Sequence, residues 1–385
     1  MCNVTYIKNE KVIDIFVKKD VLYICNKLVE GVLFCNMMHK KVLPFEESII
    51  SFSPNMDHFL SVLENQHNIT FPWILENYID LIIRKDESNP PVFEFLDYNK
   101  IWWTCPFVHV SRIERQAFEV FGNLQETITA LLERDFYLFF LVDTYYIENY
   151  ITYKKEHVVH DIFVYGFEEE YVYASDYFDF RYKKREKVSF NSLIEGYQKM
   201  PKTWDYGRGV VLFKNEQIAN NITLFQYKES MGGQLDVEKV GYQMDRNLVK
   251  NKLRRFLDSP VYVNCVTPTI FDYRLGYTTG FAVFEVLRKS MTNEGEVTPK
   301  DMHLVCCHVK LMLERVKYLM QIEPDKELKR LEGEFENILI EVEIMKKMII
   351  KKMMKETKNN ERVIIRYDKF KKTYCNILQE LLYYL

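Results

Sequence analysis

The chain has 385 residues, of which 48% are apolar and 15% aromatic, a composition that folds into a packed core and does not remain disordered. A formal net charge of −3 excludes the strongly basic field of a nucleic-acid binder and gives no pull toward an acidic membrane surface. No run approaches the roughly 18 consecutive apolar residues of a membrane span. The start, MCNVTYIKNEKVIDIF, lacks the cationic flank and apolar stretch of a secretory signal. The eight cysteines are scattered, apart from the adjacent pair Cys306 and Cys307, so free thiols in a reducing cytoplasm are expected.

In chain order, residues 4–17 alternate as one or two short strands. Over 21–39 the period changes: Leu22, Cys25, Val29, Val32 and Leu33 fall near helical spacing, with Asp20 as an N-cap. Residues 56–65 and 73–84 read as helices. After the loop DESNPP come short strands at 92–96 and 101–104, and then one helix over 111–134. FYLFFLV is an apolar run of strand length, followed by strands at 160–166 and 171–176. Met200-Pro201 marks a boundary. Beyond it lie two β-type runs, VVLFKN and ITLFQY, and helices at 236–257, 280–291, 298–321, 324–356 and 364–384. Helices first and strands second predict an α+β domain over 1–200, and the remainder predicts a helix-rich domain over 201–385.

The chemistry-bearing residues concentrate at the strand pair. His160 opens HDIFVYG, and Asp176 closes the returning run EYVYASD. Side chains alternate along a strand, so His160, Ile162 and Val164 share a face, and the hairpin returns Asp176 to His160. A carboxylate there would fix the imidazole tautomer and stabilise its charged form. The other reading is two solvated polar residues at strand ends. His157, three residues upstream, is the rival imidazole or simply a loop histidine. A nucleophilic thiol needs a lowered pKa, which a helix N-terminus and an imidazolium both supply. Cys25 lies early in a predicted helix and upstream of the hairpin; the alternative is a small core residue. Cys35, near the helix end, reads as core, and Cys105, in WWTCPF, could line a pocket.

Taken together, a cysteine at the start of an N-terminal helix, His-x5-Gly on a strand and an acid on the next strand resembles the papain-like cysteine-protease superfamily. The block from Leu131 to Asp176 resembles its butirosin-biosynthesis-H-type acyltransferase branch, through Val142-Asp143-Thr144-Tyr145-Tyr146 and the turn Gly166-Phe167-Glu168. The likeness is specific over 131–180 and weaker over 20–60. It implies a papain-like fold, with the nucleophile helix followed by an antiparallel sheet carrying the His and Asp. It also implies acyl transfer through a cysteine thioester: Cys25 as nucleophile, His160 as general base and acid, and Asp176 as orienting acid. The acyl group would arrive on the phosphopantetheine of an acyl or peptidyl carrier protein and leave on a small amine, such as a diamine, as an amide. No cofactor or metal of the enzyme's own is implied, and neither a nucleic acid nor a membrane partner.

The segment before Cys25, KKDVLYI, has no Gln to serve as an oxyanion donor, so backbone N–H groups, Lys19 or Asn26 would hold the oxyanion. That departure suits an activated thioester better than a peptide bond. Asp143 is either a pocket carboxylate that holds the amine, with Tyr145 beside it, or a cap of the following turn. A hydrolase with the same triad and a catalytically dead scaffold are the rival functions. His303 and Cys307, at i and i+4, read as core packing before a metal pair. The Met- and Lys-rich stretch 344–355 reads as a helix with an apolar core face and a solvated basic face, or as a surface that meets an acidic partner. There is no Walker loop, no G-x-G-x-x-G, no H-E-x-x-H and no zinc-knuckle spacing.

Overall fold

The structure, a computed structural model, describes residues 2–8, 11–17, 40–85, 92–96, 98–120, 122–180, 184–205, 209–215, 242–259, 276–292, 297–355 and 361–385. Strands β1 (Cys2–Lys8) and β2 (Lys11–Val17) form an antiparallel hairpin, as the alternation of 4–17 predicts. Next come β3 (Lys40–Val42), α1 (Pro54–Glu64), α2 (His67–Glu76), β4 (Leu81–Lys85), β5 (Val92–Phe95), α3 (Tyr98–Thr104) and β6 (Val108–Ile113). Helices α4 (Arg115–Val120) and α5 (Leu124–Glu133) precede β7 (Tyr137–Asp143), β8 (Val159–Glu168), β9 (Tyr171–Asp176) and β10 (Lys184–Ser189). Then follow α6 (Phe190–Lys199), β11 (Val210–Asn215), α7 (Arg246–Asp258), β12 (Gly276–Thr279) and α8 (Val283–Thr292). Three long helices close the chain: α9 (Pro299–Ile322), α10 (Lys326–Lys355) and α11 (Glu361–Tyr384).

The architecture is α+β. A seven-stranded antiparallel sheet runs in the order β10-β9-β8-β7-β11-β6, and β3 adds to β8. A smaller sheet has the order β12-β4-β5. β7 is buried along its whole length because β8 and β11 flank it and helices cover it, which is why its sequence is an unbroken apolar run. β8 is buried from Asp161 to Phe167 and pairs along both edges. Its register against β9 slips between Val164 and Gly166, a bulge at Tyr165. At Gly166 a Cβ would lie 2.6 Å from the Lys41 carbonyl oxygen and 2.9 Å from the Val42 Cα. Glycine is therefore what lets β3 close onto β8, where the Leu43 amide also donates to the Tyr165 carbonyl at 2.7 Å.

Several expected elements differ. The helix expected over 73–84 ends at Glu76; Tyr78 takes a φ of +53°, and 81–85 is strand β4, paired on both edges. The expected strand at 101–104 is helix α3, which turns Trp102 onto Phe59, Phe139 and Phe213. The expected helix over 111–134 is three elements. β6 is drawn into the sheet by pairing with β11, and a φ of +82° at Gly122 stops the chain before Asn123 caps α5. The last three helices fall where their 3.6-residue pattern predicts. Along α10, Met345 and Ile349 are buried, whereas Ile344, Ile350, Met353 and Met354 join the lysines at the surface. No helix among the described residues is long and apolar enough to cross a membrane.

The break expected after Met200 does not divide the strands. β11 lies inside the large sheet, and β12 pairs with β4 from the first half. The long helices grip the same region. The fully buried Arg315 of α9 donates to the carbonyls of Leu75, Asn77 and Tyr78, taking up the carbonyls at the end of α2. His308 donates from Nε2 to the Ile79 carbonyl at 2.8 Å and accepts from the Tyr374 hydroxyl at Nδ1, also at 2.8 Å. Burial pushes this imidazole down to about 3, so it serves as a neutral strut.

Gly166→Ala should destabilise the protein by about 1–3 kcal/mol, the usual penalty for forcing atoms into a filled site. Urea unfolding would measure it. Hydrogen exchange at the Leu43 amide should speed up in the variant, because β3 is the element displaced. Unchanged stability with unchanged exchange would show that the close approach constrains nothing.

Candidate functional site

His160 stands at the start of β8, and its face of the strand continues through Ile162. On β9, Ser175 pairs with Phe163, so the next residue, Asp176, comes opposite Ile162 on the His160 face. Nδ1 of His160 lies 2.8 Å from Oδ2 of Asp176, whose carboxylate has no exposed surface. The Tyr150 hydroxyl donates to the same oxygen. A second contact, 3.1 Å from Nδ1 to the Asp161 carbonyl, also needs a donor, so Nδ1 carries a hydrogen and Nε2 is the nitrogen left open. Phe180 sets its ring edge against the imidazole at 5.2 Å, and Tyr150 packs on Phe178 behind the pair. Burial of His160 opposes its charge, but the hydrogen bond and charge of Asp176 outweigh it, and the ring is held up at about 9.

Asp161 points to the other face of β8 and is also buried. Burial pushes its carboxyl up to about 6, with the charge of His160 pulling down and that of Asp176 pushing up. Local sequence gives no signal for Asp161 or for Tyr150, which reaches Asp176 across 26 residues.

A second imidazole–carboxylate pair lies at the same end of β7–β8, with its carboxylate on the opposite face of the sheet from His160. Asp143 ends β7 opposite Val159, while its neighbour Val142 lies opposite His160. Oδ2 of Asp143 is 2.7 Å from Nδ1 of His157, and Oδ1 accepts the Tyr145 amide at 3.1 Å. The Tyr145 ring stacks on His157 with centroids 4.1 Å apart and planes 18° from parallel. Asp143 thus caps the turn after β7. It is buried, with Oδ2 against His157 and Oδ1 on the Tyr145 amide.

Cys25 and Asn26, together with Lys19, Cys35 and Cys265, lie outside the described residues. Cys105 is buried, and burial pushes its thiol up to about 12 against the opposing backbone N–H groups of Phe107 and Val108, which removes it as a ready thiolate. Cys307 is likewise pushed up to about 12 by burial; with His303 it holds the Ser51 carbonyl, 3.7 Å from its sulfur. Cys306 is raised by burial and by Glu343. The Ser51 hydroxyl donates to Asp57 at 2.8 Å, and the Tyr177 hydroxyl donates to the same oxygen, so α9 is tied to the residue after Asp176. Comparison with protein-family models and with curated proteins gives no match for this chain.

Two outcomes follow. In Asp176→Asn the largest raising contact is lost while burial remains and only Asp161 still raises the ring, so His160 should titrate well below its parent value of about 9, as NMR of the labelled imidazole would read. For Asp161, a folded-state pKa above the unfolded one penalises the native state as pH rises from about 4 to about 6. Asp161→Asn should therefore be more stable than the parent by roughly 2–3 kcal/mol at pH 8. The gap should nearly close at pH 4, and equal gaps at both pH values in chemical unfolding would contradict the assignment.

Proposed function

We propose that this chain is a cysteine-dependent acyltransferase with a papain-like arrangement, forming an amide from a carrier-bound acyl thioester and a small amine. The observation that carries the reading is the His160–Asp176 couple. A fully buried carboxylate fixes the hydrogen on Nδ1, holds the ring charged and leaves Nε2 for a reacting group. An imidazolium of this kind stabilises a neighbouring thiolate. β3, the first described element after Cys25, is paired to β8 at Gly166. The raised thiols of Cys105 and Cys307 favour Cys25 over the buried alternatives.

In this reading Cys25 sulfur attacks the thioester carbonyl. The C–S bond to phosphopantetheine breaks, and His160 returns a proton to the leaving thiol. The amine then attacks the acyl-enzyme and a C–N bond forms; His160, neutral after giving up its proton, takes one from the nitrogen, and the Cys25 sulfur leaves as thiolate. A thioester is already activated, so backbone N–H groups at the helix start, or Asn26, suffice for the oxyanion without an upstream Gln.

Incubation with an acyl-pantetheine thioester should add one acyl mass to the protein, and Cys25→Ala should abolish the adduct. Adding a primary amine should clear it as amide. An undiminished adduct on Cys25→Ala, or none on the parent, would overturn the assignment. Release of free acid at one rate whatever amine is present would make the protein a hydrolase.

A further inference from the structure

Helix α10 has one side that the described residues leave open. Ile338, Val342, Met345 and Ile349 turn into the core. On the opposite side an exposed stripe steps by four, four, three and four residues through Glu336, Ile340, Ile344, Lys347 and Lys351. Ile340 is 59% exposed and Ile344 36%. The charge changes sign along the helix. Up to Glu341 it holds five acids and three cations, and from Ile344 to Lys355 it holds five lysines and no acid. The helix macrodipole favours that order only in the first and last turns, and Glu336 and Lys347 lie farther in. Neither Lys347 nor Lys351 forms an ion pair with a described residue. Gly333 continues the stripe, three residues before Glu336. A glycine inside a helix costs stability, yet a Cβ here would meet nothing within 4 Å, so the single chain gives no steric reason for it.

We propose that this face pairs two copies of the chain, α10 against α10, antiparallel about a two-fold axis. A two-fold contact must complement itself. The stripe does so, with isoleucines at its centre, an acid on one side and lysines on the other. With the axis at the level of Val342, Ile340 of each copy meets Ile344 of the other. Glu336 then falls between the second copy's Lys347 and Lys351, and Gly333 leaves room for the stem of that lysine to run past. Parallel pairing would set like charges together. An acidic helix of another protein, or an anionic lipid surface, would suit the lysines but meet Glu336 and the acids before it. A partner with the reversed order of charge satisfies both ends, and a second copy is such a partner. Two isoleucine contacts and exposed ion pairs make a reversible association that weakens with salt.

Sedimentation velocity of the full-length protein across the micromolar range at low salt should show a monomer–dimer equilibrium. Ile340→Lys should raise the dissociation constant about tenfold or more. Glu336→Lys alone, and Lys347→Glu with Lys351→Glu alone, should each fail to pair, while an equimolar mixture of the two should form a dimer, because each then supplies the charge the other needs. All these positions are exposed, so circular dichroism should match the parent. Gly333→Ala should raise the urea midpoint of the dilute, monomeric chain and weaken the pair. A parent that stays monomeric throughout the range would overturn the proposal. So would a dimer that Ile340→Lys leaves unchanged, or charge variants that stay apart when mixed. A monomeric parent that co-sediments with phosphatidylcholine–phosphatidylserine vesicles would assign the face to a lipid surface instead.

Discussion

A carboxylate stripped of water needs a positive charge or several donors beside it, and Asp176 is such a group at the heart of this fold. It receives Nδ1–H from His160 and O–H from Tyr150 on one oxygen, while the other has no protein partner among the described residues. The imidazole is therefore held by more than geometry. To neutralise His160 is to leave Asp176 with the weaker compensation of a phenol in a dry site. That is why a ring whose burial alone would depress its pKa is held up at about 9.

Everything around the pair limits where it can sit. β8 is paired on both edges, its bulge at Tyr165 resets the register to β9, and Gly166 admits β3. The next residue after Asp176 extends the constraint into the helical half. Tyr177 and Ser51 share an oxygen of Asp57, whose other oxygen takes the Phe52 amide, and the Ser51 carbonyl is held by His303 and Cys307 of α9. Lys346 of α10 reaches the other nitrogen of His303 at 3.2 Å. α9 and α10 thus lead to the neighbour of Asp176 through an unbroken polar chain.

The strand pair was legible because β7 and most of β8 are buried on both faces and read as apolar runs, while the first half of β9 alternates between buried and more exposed residues. The distance from His160 to Asp176 follows from hairpin arithmetic alone. The helices α9, α10 and α11 were legible for a similar reason, since length and period leave one assignment. What could not be read depends on partners distant in the chain. Val108–Ile113 has helix-compatible residues but lies against β11, about a hundred residues later. Arg315 looks like an ordinary surface cation until the α2 carbonyls it binds are in place. Tyr150 belongs to the site through Asp176, and the loop around it says nothing of that. β11, beyond Met200, shows the same dependence: it is recruited by β6 and β7, not by its neighbours in sequence.

The two imidazole–carboxylate couples are chemically the same pair in different surroundings, and environment alone separates what they can do. The inner one is dry and flanked by aromatic rings, so the charge of Asp176 acts on His160 with little screening and holds the ring up at about 9. The outer one leaves the His157 side chain 49% exposed, so the Tyr145 stack and the Asp143 contact, and not enclosure, fix its position. By strand register the two couples lie on opposite faces of β7–β8, so the sheet itself separates them.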